Sequence, residues 1–181
     1  MVYQKTSDWK IGESVAEGIT GDKVTLSSKK SLPNSSKNRT FDDEGALIRD
    51  EVLIDGDVVK TYWGNQKFSS YLGFSDTFIL SNYEVAPGTK SEAELRDGKY
   101  LEVVEFSDFQ VDPITGHIFG EIRLGYLHDG NSVKIVSGGS VSGTMSDSLK
   151  SMHFSKEQTQ YNYARVPSVV VLDGITVTGA K

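Results

Sequence analysis

Asp42, Asp43 and Glu44 stand in a row between Phe41 and Gly45, directly ahead of the apolar run "ALIRDEVLIDGDVVKTYW". Converging carboxylates can bind a divalent cation or share a proton. A calcium loop spaces its ligands at alternate positions, and a bare triplet lacks that spacing. Three readings stand at this point: a metal site, an acid/base group, or a polar turn that opens a strand.

Other chemistry is sparse. A zincin needs two histidines one helical turn apart with a glutamate beside the first. His117, His128 and His153 are spaced too widely for that, and two of them flank one predicted strand. "GGSVSG" (Gly138–Gly143) approaches a nucleophile elbow, but Ser142 takes the place of the last glycine. The same small residues precede a helical turn, where free N–H groups can hold an anion, yet no Walker lysine follows. Ser-x-x-Lys at Ser7/Lys10 and Ser27/Lys30 lies in polar stretches with no helical face. The chain has no cysteine, so disulfides, thiolate zinc sites and a cysteine nucleophile are excluded. No catalytic centre and no metal site is predicted.

The elements that must position these residues are mostly strands. Apolar residues flank Asp55-Gly56 in "EVLIDGDVVKTYW", which predicts a hairpin with a two-residue turn. Phe68, Tyr71 and Leu72 at i, i+3 and i+4, followed by Gly73, predict a short helix. Asp76–Val85 is predicted as a strand. Ser91 and Glu94 form a capping box before a second short helix. Lys99–Val111 is a strand with a bulge at Ser107-Asp108, "DPITG" a turn, and His117–Gly130 the longest strand. Gly120 and Gly125 in that strand mark bends or close backbone approach. Ser132–Val136 is a strand, Ser146–Met152 a helical turn, and Pro167–Gly179 a hairpin around Asp173-Gly174. The sum is a mainly β, β-rich α+β fold. Its antiparallel sheets form a sandwich or partly closed barrel, with two or three short helices.

The 181 residues suit one domain, 1–181, with a flexible polar loop over 27–40. Net charge is -6 at pH 7, which argues against nucleic acid as a partner, because phosphate affinity rests on Lys and Arg. No apolar signal core and no run of the roughly 20 residues that span a membrane is visible. The chain is therefore expected in the cytoplasm, without a membrane partner.

The order of the pieces resembles one family. It runs "FDDEG", "VLIDGDVVKTYW", a short helix ending "YLG", "SNYEVAPGTKSEAEL", "QVDPITGHIFG", "GYLHDGNSVKIVSGGSVSG" and "PSVVVLDGITVTG". Six pieces in order, from about Ile11 onward, resemble the C-terminal domain of the TldD/PmbA proteins, also called modulator of DNA gyrase. The resemblance implies a metallopeptidase system that matures or cleaves peptides and works as a homodimer or heterodimer. In the zinc-bearing subunit an N-terminal domain supplies a His-Glu-x-x-x-His helix, and a cysteine from the C-terminal domain can complete the site. This chain has neither the helix motif nor the cysteine, and "MHFSKEQTQYNYARVPS" stands where the cysteine loop would be. It resembles the zinc-free, PmbA-like subunit more closely, with the N-terminal catalytic domain absent. Phe41, Asp42, Asp43, Glu44 and Gly45 carry over as a motif or interface candidate.

Two functional readings follow. In the first, the chain is a non-catalytic domain that pairs with a zinc-bearing TldD-like subunit and lines a path for an unfolded peptide. It would bring no cofactor of its own, zinc reaching the system only through the partner. An open sheet edge would hold the peptide by strand addition, with Gly120, Ile122, Leu124 and Gly125 as the candidate edge. In the second, it is a stand-alone, non-peptidase protein- or peptide-binding β module. A hydrolase built on the acid triplet is a third, weaker reading.

Overall fold

The computed structural model describes residues 2–179. Thirteen strands and three short helices alternate along them: β1 (Leu26–Lys29), β2 (Glu51–Asp55), β3 (Val58–Val59), α1 (Gln66–Tyr71), β4 (Asn82–Val85), α2 (Glu92–Leu95), β5 (Tyr100–Val111), β6 (His117–His128), β7 (Val133–Val136), β8 (Ser140–Thr144), α3 (Met145–Ser151), β9 (His153–Phe154), β10 (Gln158–Tyr161), β11 (Ala164–Pro167), β12 (Val170–Val171) and β13 (Thr176–Thr178). They form a six-stranded sheet in the order β10-β11-β4-β1-β2-β3, a five-stranded sheet built on β5, β6, β7, β8 and β13, and a small β9/β12 pair. The fold is β-rich α+β as predicted, and no barrel closes. One pair, β11 with β4, is parallel; the other strand pairs are antiparallel.

The first sheet carries most of the core. Leu53, Ile54 and Val59 are buried on β2 and β3, and Ile48, Ala46 and Phe78 pack beside them. The turn between β2 and β3 is one residue later than predicted. Asp55 pairs with Val58, so Gly56 and Asp57 are the two central residues, and both have positive φ (54° and 73°). A type I′ turn needs that pair of signs. Asp57 accepts this strain because its buried carboxylate receives the Val24 N–H at 2.6 Å.

Asn82 opens β4 and is fully buried. Its Oδ1 accepts from Ser35 Oγ at 2.5 Å, and its Nδ2 faces Lys30 O, Lys37 O and Asn38 Oδ1 at 3.2–3.5 Å. Asn38 in turn exchanges two hydrogen bonds with the Leu32 backbone. Asn162, at φ 51°, accepts from Ser36 N and donates to Ser36 Oγ. The polar stretch 27–40 thus begins as strand β1 up to Lys29, and side-chain amides pin the rest to β4 and to the β10–β11 turn. The predicted strand over Asp76–Val85 shortens to β4, because the segment ahead of it is fixed by side chains rather than by a ladder.

The helices end as the sequence requires. Asn65 caps α1, and the amides of Gly73 and Phe74 return to Ser70 O and Ser69 O with Gly73 at φ 78°, a Schellman ending. Ser91 and Glu94 form the complete capping box at α2. In the second sheet β5 slips register on both sides of Glu105 and again between Phe106 and Asp108, so the predicted bulge is there with company. The Gly-rich "SGGSVSG", for which no strand is predicted, enters strand β8 from Ser140. Gly139 and Gly143 fit because a Cβ at Gly139 would lie 2.2 Å from Thr178 O, and one at Gly143 2.6 Å from Ile175 Cδ1. The predicted terminal hairpin is also corrected: β12 pairs with β9 and β13 with β8, so its two halves go to different sheets.

Residues Met152–Ser155 join the sheets. Asp22 N–H donates to Met152 O at 2.8 Å, the Asp22 carboxylate accepts from Phe154 N at 2.8 Å, and Gly88 N–H donates to Ser155 O at 3.0 Å. A Cβ at Gly21 would strike Met152 O, and one at Gly88 would strike Phe154 O.

Asn82→Ala should destabilise the domain by about 2–4 kcal/mol, because several buried carbonyl and hydroxyl partners lose their donor or acceptor together. The urea midpoint should fall with an unchanged slope.

Candidate functional site

The three acids do three separate jobs. Asp42 is buried, and its carboxylate gathers three backbone donors: Glu44 N and Ala46 N at 2.9 Å on Oδ1, and Ile79 N at 2.7 Å on Oδ2. Burial works against its charge. The amides of Ile79, Ala46 and Glu44, helped by Arg39, outweigh that and hold its carboxyl below the ordinary range. Asp43 is exposed and pairs with Arg39 at 2.6 Å. Glu44 reaches away to accept the Gln66 N–H at 2.7 Å, anchoring the first turn of α1. Gly45 takes φ 83° to let the loop fold back, and Phe41 bridges to Leu47 with both side chains about half exposed. The carboxylates diverge, so the triplet is a loop staple with an exposed apolar rim. Among the described residues no group of three or more His, Cys, Asp or Glu is placed to hold a metal ion.

The expected edge strand is not an edge. β6 pairs along its whole length with β5, while its other side is taken by β8 over His117–Glu121 and by β7 over Gly125–His128. Between them Gly138 N–H donates to Ile122 O, Ile122 N–H to Gly139 O, and Ser137 Oγ to Arg123 O. Gly120, Ile122, Leu124 and Gly125 therefore have no free backbone side for a peptide. Their glycines serve packing within the sheet. A Cβ at Gly120 would lie 2.7 Å from the Phe106 ring and 3.0 Å from the Phe109 ring; one at Gly125 would lie 2.9 Å from Glu102 O. At the end of this sheet opposite β13, the outer side of β5 is an unpaired edge among the described strands. Val104, Phe109 and Val111 on it are exposed.

β5 runs into the wall of a cleft of about 650 Å³. One wall is the N-terminal segment and the start of α1, with Tyr3, Trp9, Tyr62, Trp63 and Phe68. The other is the end of β5, the 112–116 turn and α3, with Val111, Ile114, Met145 and Leu149. Tyr3 packs on Phe68 and Tyr71 with ring centroids 5.0 and 5.5 Å apart, and Tyr62 OH donates to Trp9 O at 2.7 Å. Asp112 closes the turn: its Oδ1 accepts from Thr115 N and Ile114 N, and these two bonds hold its carboxyl below the ordinary range, with His117 adding a little. Sequence reading did not single out this cleft. The signal available was the chain's two tryptophans, in "SDW" and "TYWG", the second beside Tyr62.

The histidines do not converge. His117 and His128 sit at opposite ends of β6, roughly 37 Å apart at strand rise. His128 stacks on Tyr100 with 4.3 Å between centroids, and His153 Nδ1 lies 3.6 Å from Asp22 Oδ2 at the sheet junction.

The family profile of the PmbA/TldA metallopeptidase C-terminal domain matches residues 1–179. Comparison with curated proteins finds no match. Among solved structures, a proposed modulator of DNA gyrase from Bacteroides thetaiotaomicron superposes with TM-score 0.80 at 23% identity, over 99% of this chain and 41% of that one. A second from Thermotoga maritima gives 0.76 at 21%, over 97% and 43%. TldE from Thermococcus kodakarensis gives 0.76 at 18%, over 99% and 44%. The chain thus spans less than half the length of these structures. At such identity they show a shared fold.

Asp42→Asn should cost about 1.5–3 kcal/mol, since an amide N–H₂ must face one of the three backbone donors. The sign of its pH dependence is fixed. A folded-state pKa held below the ordinary aspartate value of 3.8 gives stability that is full above that value and lost as pH falls through the folded pKa. Acid titration of the wild type should show this component below about pH 4, and the Asn variant should lack it.

Proposed function

The chain belongs to the PmbA/TldA metallopeptidase C-terminal domain family, and from that membership we propose that it is a non-catalytic binding domain of a TldD/PmbA-like peptidase system. It pairs with a zinc-bearing TldD-like subunit and holds an unfolded peptide in extended form. In this reading zinc and the general base come from that partner, and this sequence contributes no cysteine to the site. In this respect it takes the part of the zinc-free, PmbA-like subunit. Cytoplasmic residence fits the reading, and no helix among the described residues is long and apolar enough to cross a membrane.

The observation that carries the proposal is the outer side of β5. It is a twelve-residue strand paired on one side only, with exposed apolar side chains and an end that opens on the aromatic cleft. Unpaired N–H and C=O groups on an edge are a template for an added strand. The register slips between Val103 and Asp108 divide that edge into two regular stretches, Tyr100–Val103 and Asp108–Val111. The second lies beside the cleft and is where an extended peptide docks. A zinc ion held by the partner would supply the activated water for any hydrolysis. The β5 edge and the partner face act together, since a peptide aligned on one protein must reach a centre held by another.

Mixing the chain with a zinc-bearing member of the family should give a complex by size-exclusion chromatography and faster cleavage of an unfolded peptide. Absence of a complex with unchanged activity sinks the partner reading and favours a stand-alone binding module. Strand addition has its own check: methylating alternate backbone nitrogens of a bound peptide should weaken binding about tenfold or more when the methylated set faces β5, and little when the other set is blocked.

A further inference from the structure

The aromatic cleft carries a second conclusion that concerns side-chain recognition and is independent of the β5 edge. Its walls are aromatic and apolar, and the charged side chains lining it are Asp8 and Asp112, both negative. No Lys or Arg is among the described residues that line it. An apolar cleft with unopposed carboxylates is a poor place for an anion or for a second acidic surface, and this chain is itself acidic at -6. It suits a cation with an apolar stem. A guanidinium stacks on aromatic faces and can meet a carboxylate at the same time. The volume of about 650 Å³ suits two or three side chains and is too small for a folded partner.

We infer that this cleft binds a short peptide segment in which an arginine sits between apolar residues, the guanidinium stacking among Trp9, Trp63 and Tyr62 and meeting Asp8 and Asp112. The Asp112 carboxylate is prepared for this. One oxygen is held by the two turn amides, which fix its orientation and keep it ionised. Asp8 makes the complementary contribution from the N-terminal segment, so the ligand draws the two walls together.

The chain contains two tryptophans, and both line this cleft. Selectively excited tryptophan fluorescence therefore reports on it. Titration of the full chain with acetyl-Leu-Arg-Leu-amide should give a saturable change in emission. The citrulline analogue, equal in shape and uncharged, should bind about tenfold more weakly or worse. Asp8→Asn with Asp112→Asn should bring the arginine peptide to the citrulline level; asparagine at 112 keeps the turn bonds, so the fold stays intact. Raising salt to about 0.5 M should narrow the difference. Equal affinity for the two peptides, or no saturable change with the arginine peptide, overturns the inference. Because these peptides need no backbone methylation, the result is separate from the fate of the strand-addition reading.

Discussion

The second sheet depends on the saturation of β6. Every stretch of its backbone is used, by β5 on one side and by β8, the Gly138-Gly139 link and β7 on the other. A strand so placed cannot be a docking surface, and its glycines become packing devices. Gly120 is roofed by two phenylalanine rings from β5, which repairs the apolar surface a missing side chain leaves open. The consequence is that the free edge moves one strand outward. There, register slips break up the long unpaired side, a common way of limiting unwanted pairing. What remains is two short stretches, of which Asp108–Val111 lies next to the cleft.

Much of this was legible in the sequence where local chemistry decides. Ser91 and Gly73 mark helix ends by mechanisms confined to one turn, and the structure has both. The β2–β3 hairpin was legible too, but its turn was misplaced by one residue. Asp55-Gly56 has the better turn composition, yet pairing of Asp55 with Val58 puts the positive φ angles on Gly56 and Asp57, and a hydrogen bond from distant Val24 stabilises the choice. The strand in "SGGSVSG" and the split of "PSVVVLDGITVTG" were illegible for a different reason. Both depend on which partner strand lies across a sheet, and a local pattern carries no record of that.

The acid triplet shows the same limit at the level of a site. Three adjacent carboxylates invite a shared role. Successive side chains in an irregular loop point in different directions, and here each finds its own partner: backbone amides, a guanidinium and a helix terminus. The cleft shows the converse. Its aromatic residues are scattered from Tyr3 to Phe68 and its acids lie about a hundred positions apart, so no window of sequence displays the group. Only the tertiary fold assembles it.

The clamp at Met152–Ser155 has a consequence for how the molecule folds. The chain leaves the first sheet after β4, builds β5 to β8 and α3, and returns for β10 and β11, which close the parallel pairing with β4. Departure and return are held side by side: Lys90 bridges Ser155, Lys156 N–H donates to Lys90 O, and Glu92 N–H to the Glu157 carboxylate. The intervening segment is thus a loop with joined ends, and its closure entropy must be met before the first sheet can be completed. High contact order of this kind slows folding. Early pairing of β5, β6, β7 and β8 would shorten the effective loop and bring the two ends within reach, making that unit the natural nucleus for the remainder.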